Sequence, residues 1–247
     1  MLLRNRPTDI PHSMVSYHDG SSIARRTADF RRQLNNPRLT TYAPFCEIDD
    51  EGLLPGDGFD GTVTAQRLWE EHGQTGIETS TIDWMRRAKR HLDAMHAQFG
   101  DFQFAMANLP ATRGAVRRTT NFMRTMRNRV FACSLPLDDG RSVVDASGYL
   151  LSNMYISDET VADPSRWDEM LETVRWCAAL LRPLGKTMVA TVSPFTHASF
   201  NPVPEPLFTD HLTVVLEEYD HAALWTKARP WTETLDRPWY EKYRSMN

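Results

Sequence analysis

The chain has 247 residues, of which 41% are hydrophobic and 24% charged, with a formal net charge of −4. That balance suits a globular chain with an ordinary core; the net negative charge gives no reason to expect nucleic acid as a partner. No window approaches 18 apolar residues, so no membrane span is expected.

Cys46, Cys133 and Cys177 are odd in number, widely spaced and lack any CxxC pattern, so they read as reduced core thiols. The opening MLLRNRPTDIPHS carries no apolar run of signal-peptide length, and a cytoplasmic or assembly-associated protein is the expectation. There is no internal repeat.

Ser13 to Asp19 reads as a first strand, ending in His18 and Asp19 before Gly20. Ser21 and Ser22 cap a helix through about Leu34, and Asn35, Asn36 and Pro37 stop it. Thr40 to Gly52 (TTYAPFCEIDDEG) begins as a strand and ends in Glu47, Asp49, Asp50 and Glu51. Alternation along a strand points Glu47 and Asp49 the same way, with Cα atoms roughly 6.5–7 Å apart. Carboxylates that close do not ionise independently, which is the raw material of general acid–base chemistry. The plainer alternative is an acidic turn facing water.

Residues 53–81 form a long connection containing PGDGFDG, with one helical piece at Val63 to His72; it reads as a wall or lid of a cleft, or as a surface insertion. From Ser80 to Phe99 the apolar residues Ile82, Met85, Ala88, Leu92, Met95 and Phe99 step by three or four, one helical stripe. His91 and His96 are five apart and offer no metal pair on one face. Phe102 to Leu109 reads as a buried strand. Arg113 to Arg129 carries six arginines with Phe122, Met123 and Met126 between them, an amphipathic basic helix. A nucleic-acid contact is the lesser alternative; the basic face is expected to be solvated, or turned to acidic neighbours or a protein partner. Val130 to Leu135 is expected as a strand, and residues 138–140 as a turn.

Tyr149 to Ile156 is the next strand, ending near Tyr155, Ser157 and Asp158. Asp163-Pro164 opens a helix that Gly185 closes. Lys186 to Val192 is a strand running into Ser193, Thr196 and His197; a helix follows through Leu212, Val215 and Tyr219, then a last strand from His221 to Trp225. The aromatic tail, 227–247, is expected to pack across the fold or on a neighbouring protein.

Helical patterns alternating with short apolar strands signify βαβ units and a parallel sheet. No GxGxxG or Walker A sequence is present. The expectation is therefore one α/β domain over 1–247, a (β/α)8 TIM-barrel-like fold, irregular or incomplete. In such barrels the chemistry sits at strand carboxyl ends, where this sequence repeatedly places polar residues.

The segments SNMYIS (152–157), GKTMVATVSPFTH (185–197) and EYDHAALWT (218–226) resemble the second half of hyaluronidase-like glycoside hydrolase barrels. A strand ending in Tyr, a GK-strand-SP segment and a final DG…W strand recur there. The pair Glu47 and Asp49 is similar to that family's Asp-x-Glu pair, in reversed order, and His221 stands where Gly is usual. The resemblance implies glycosidic cleavage with Glu47 and Asp49 as the catalytic carboxyls. It implies Tyr155 and His197 as hydrogen-bonding groups to the sugar, Trp225 or Tyr17 as a stacking face, and His18, Asp50 and Asp158 within the sugar-binding set. Carbohydrate is the implied partner; no cofactor and no metal are implied. Core packing is the alternative role for the aromatics, and a structural role for His197. A second reading is a catalytically inactive barrel in a larger assembly such as a virion. A third, a metal-dependent hydrolase using His18, Asp19 and His197, lacks any HxH or HExxH spacing.

Overall fold

The computed structural model describes residues 2–3, 23–35, 45–48, 70–71, 79–106, 120–197 and 199–224. In chain order these give β1 (Leu2–Leu3), α1 (Ile23–Leu34), β2 (Phe45–Ile48), α2 (Thr79–Gln98), β3 (Gln103–Met106), α3 (Thr120–Cys133) and α4 (Val143–Ala146). They continue with β4 (Leu150–Asn153), α5 (Asp158–Ala162), α6 (Ser165–Leu181), β5 (Met188–Val192), α7 (Glu205–Glu218) and β6 (His221–Leu224). This is the expected α/β alternation. The strand expected at Ser13 to Asp19, the tail 227–247 and most of 53–81 lie outside the described residues.

All described strand pairs are parallel. One sheet has the order β1-β6-β5-β4, and the other pairs β2 with β3. The described residues therefore form two small parallel sheets and no closed barrel. β3 and β4 do meet, but through a single backbone bond rather than a ladder: Gly148 N–H donates to the Phe104 carbonyl at 2.8 Å. Gly148 is needed there, since a Cβ would lie 3.2 Å from the Gln103 Cα and 2.4 Å from its Oε1. Lys186 straps the same corner, its Nζ donating to the carbonyls of Ser147 at 2.5 Å and Asp145 at 3.1 Å.

The helices cover the sheets because their apolar stripes have helical period. In α2, Ile82, Met85, Ala88, Leu92 and Met95 are all buried. In α6, Trp167, Met170, Val174, Ala178 and Leu181 are. Phe104 N–H donates to His96 Nε2 at 3.0 Å, pinning α2 to β3. Arg86 grips Asp138 with two bonds of 2.9 Å, and Lys89 reaches Asp93 at 2.8 Å and Asp139 at 2.5 Å, which fixes the 138–140 turn on α2. The three cysteines are free thiols in β2, α3 and α6, all buried.

Three local readings change. Val130 to Leu135 is not a strand: Val130 to Cys133 complete α3, Ser134 and Leu135 turn out of it, and the Ser134 hydroxyl donates back to the Val130 carbonyl at 2.7 Å. Two short helices, α4 and α5, appear where none was expected. Each is started by a serine cap: Ser142 Oγ accepts from Asp145 N–H at 3.0 Å, and Ser157 Oγ from Thr160 N–H at 3.2 Å.

The core divides in two. The larger part lies between helices and sheets. The smaller part is Ala105, Tyr149, Leu151, Val189 and Ala223, with Phe45 packed against it. It draws on β2, β3, β4, β5, β6 and the entry to β4, so both sheets turn one face toward a shared interior. The Phe45 ring spans that interior, with its centroid 5.1 Å from those of both Tyr149 and His221.

Candidate functional site

Side chains two apart on a strand share a face. Two residues beyond the apolar layer of Phe45, Leu151 and Val189 come Glu47, Asn153 and Thr191. Their exposures are 7%, 5% and 2%. An apolar floor is therefore followed, toward the strand carboxyl ends, by a polar layer. Glu47 pairs in register with Ala105 of β3, and Asn153 with Thr191. Burial, and next the nearby Glu47 carboxylate, push the Tyr149 phenol well above its ordinary range. A carboxylate beside a buried phenol over an apolar floor is an environment in which protonation state depends strongly on surroundings.

A second group of predicted residues gathers after β4 and β5. The rings of Tyr155 and His197 stack, with centroids 5.3 Å apart and planes inclined by 20°. Asp158 opens α5 beside them, but its oxygens are taken up by the chain itself. Thr196 Oγ1 donates to Asp158 Oδ1 at 2.7 Å, and Ser199 donates to the same carboxylate through its hydroxyl and its N–H. These bonds hold the Asp158 carboxyl below its usual range, the Ser199 hydroxyl contributing most.

Of the residues chosen from sequence, Glu47, Tyr155, Asp158 and His197 are described, and the last three form one cluster. Asp49, Asp50, Tyr17, His18 and Trp225 lie outside the described residues. Asn153, Thr191, Ser199 and Asn201 were not singled out from sequence. The signal for the first two is the alternation Leu151-x-Asn153 and Val189-x-Thr191, a polar residue closing an otherwise apolar strand face. Among the described residues no group of three or more His, Cys, Asp or Glu is arranged to hold a metal ion, and no helix is long and apolar enough to cross a membrane.

No protein-family model matches the chain, and no curated protein sequence does. Among solved structures it is similar to bee venom hyaluronidase in a monoclinic crystal, with TM-score 0.54 and 11% identity over 91% of this chain and 76% of that one. It is also similar to bee venom hyaluronidase in complex with a hyaluronic acid tetramer, with TM-score 0.53 and 11% identity over 91% and 73% of the two chains. Identity this low speaks to fold alone: the chain has a distantly hyaluronidase-like α/β fold.

Proposed function

We propose that this chain is a glycoside-hydrolase-like protein that binds or cleaves a polysaccharide through carboxylates at the carboxyl rim of a barrel-like fold. The observation carrying this is Glu47, a buried carboxylate near the end of an interior-facing strand, beside Tyr149 and above an apolar floor. The distant likeness to hyaluronidase supports it. In this reading Glu47 or Asp49, protonated, delivers its proton to the glycosidic oxygen as the C–O bond breaks and its electron pair stays on that oxygen. The other acid, or an acetamido group of the substrate, stabilises the electron-poor carbon until water adds, the water's proton passing to the carboxylate that gave one up. Tyr155 and His197 face the sugar; Tyr17, His18, Asp50 and Trp225 complete the lining.

The test is reducing-end release from hyaluronan. E47Q and D49N are each expected to lower it by about 10²–10⁴-fold, the usual weight of a general acid or base, at an unchanged melting temperature. Unchanged release in both variants removes these acids from the reaction. The reversed Glu-x-Asp order favours a second reading, a barrel that holds saccharide without cutting it, as a component of a larger assembly. Oligosaccharide binding with no release by the wild type, together with a multi-copy mass in size-exclusion, would select it.

A further inference from the structure

The residues following β4 and β5 form one hydrogen-bonded unit with Asp158 at its hub. Thr196 lies just before His197 and donates its hydroxyl to Asp158 Oδ1 at 2.7 Å. Ser199 lies two residues after His197 and donates its N–H to Asp158 Oδ2 at 3.2 Å, its hydroxyl also bonding Oδ1. The carboxylate thus brackets His197 from both sides in sequence. Asn201 extends the bracket: its N–H donates to Thr196 Oγ1 at 3.1 Å, and its side-chain amide to Ser199 Oγ at 2.8 Å. The His197 N–H itself donates to the Ile156 carbonyl at 2.9 Å, tying the β5 connection to the β4 connection next to Tyr155.

A backbone outlier sits in the same unit. Phe200 has φ 56°, in the left-handed region that a bulky side chain rarely enters. Such a conformation persists only where its surroundings over-determine it. Here the Phe200 N–H donates to the Thr196 carbonyl at 3.2 Å, and Thr196 N–H to the Asn201 carbonyl at 2.9 Å, closing the turn around it. Thr196, the residue that joins this turn to Asp158, is buried.

We propose that Asp158 is a positioning residue: it does not touch ligand, but clamps the β5 connection on both sides of His197 and so holds the imidazole flat against the Tyr155 ring. The value of that ring pair for saccharide rests on the reading given above; the positioning does not. His197 is exposed and Tyr155 half-buried, so the pair presents a pre-formed aromatic edge at the carboxyl ends of β4 and β5. Fixing it before ligand arrives removes an ordering cost from binding.

The experiment compares wild type with D158A, D158N and T196V. The first readout is the NMR resonances of the His197 ring protons, which stacking on Tyr155 displaces. D158A is expected to return them toward the positions of an unstacked histidine. D158N, which keeps one acceptor oxygen but sets an amide donor where Ser199 needs an acceptor, should fall between, and T196V should move them part of the way. A lost hydrogen bond of any kind lowers the melting temperature; with the spectra recorded at alkaline pH, where an imidazole is neutral, the displacement of these signals follows the separation of the rings. His197 resonances unchanged in folded D158A and T196V would overturn the inference. The second readout is affinity for hyaluronan oligosaccharide, expected to weaken about tenfold in D158A and less in D158N, as pre-organisation is lost. Wild-type protein that binds no oligosaccharide would sink the saccharide reading alone, since the ring resonances still decide whether Asp158 sets the pair.

Discussion

His211 shows what burial without a partner does to a single residue. It lies fully buried in α7, neither ring nitrogen has a hydrogen-bond partner among the described residues, and the Phe208 ring lies beside it with centroids 6.5 Å apart. Burial keeps the imidazole neutral and brings its pKa down to about 4. The unfolded chain takes up this proton near 6.5, whereas the folded chain resists until about 4. Stability is therefore complete above pH 6.5 and drains away as pH falls toward 4, by about 3 kcal/mol for this residue. His91, brought to about 4 by burial and by Arg26, Arg90 and Arg87, and His96, lowered chiefly by burial, add to the acid sensitivity in the same direction. Urea unfolding at pH 7, 5.5 and 4.5 should show H211F less acid-sensitive than the wild type; identical slopes would mean His211 is protonated without penalty. The signal for His211 lies in spacing: it falls three residues after Phe208 and four before Val215, on the stripe with Leu212 that the helix buries. Glu47 was more legible, since a carboxylate closing a β-branched and aromatic run signals a strand end by itself.

Elements were readable where their period was long and fixed. The stripe of α2 predicted Ser80 to Phe99, and the helix runs Thr79–Gln98. The run VFACSL at 130–135 was ambiguous because six apolar or small residues fit either a buried strand or the end of a helix. Neither α4 nor α5 has enough length to show a period; caps define them. Removing the first cap with S142A is expected to cost about 1 kcal/mol in chemical denaturation, since Ser142 Oγ no longer accepts from the Asp145 N–H while the return bond from the Ser142 N–H to the Asp145 carboxylate remains. The junction of β3 and β4 is the more sensitive element. G148A is expected to cost about 1–3 kcal/mol, the usual cost of forcing atoms into a filled space, and to expose the Gly148 amide to hydrogen exchange. Adding Q103A should recover only part of the loss: it relieves the Oε1 contact at 2.4 Å but not those with Cβ at 3.0 Å and Cα at 3.2 Å.

For the whole molecule, the sequence conveyed the α/β class but not how far the sheets close. Parallel strands pair across long stretches of chain, and no local pattern states which partner each will take. Pairing of β1 with β6 and the single bond from Gly148 to Phe104 are of that kind. The shared interior of Phe45, Tyr149 and His221 implies one cooperative unit, so far-UV circular dichroism and tryptophan fluorescence should report the same denaturation midpoint. Two separated midpoints would mean that the β2–β3 pair unfolds independently of the four-stranded sheet.

The three thiols lend themselves to following such opening events. Burial raises the pKa of Cys46 far up and that of Cys133 to about 12, so each is shielded from solvent and, at neutral pH, held in its unreactive protonated form. An alkylating reagent must wait for the surrounding segment to loosen, and its rate at each site becomes a native clock for that segment. Cys46 adjoins Glu47, so its clock times the strand that carries the proposed acid. A saccharide that settles over that strand should slow the labelling of Cys46 more than that of Cys177.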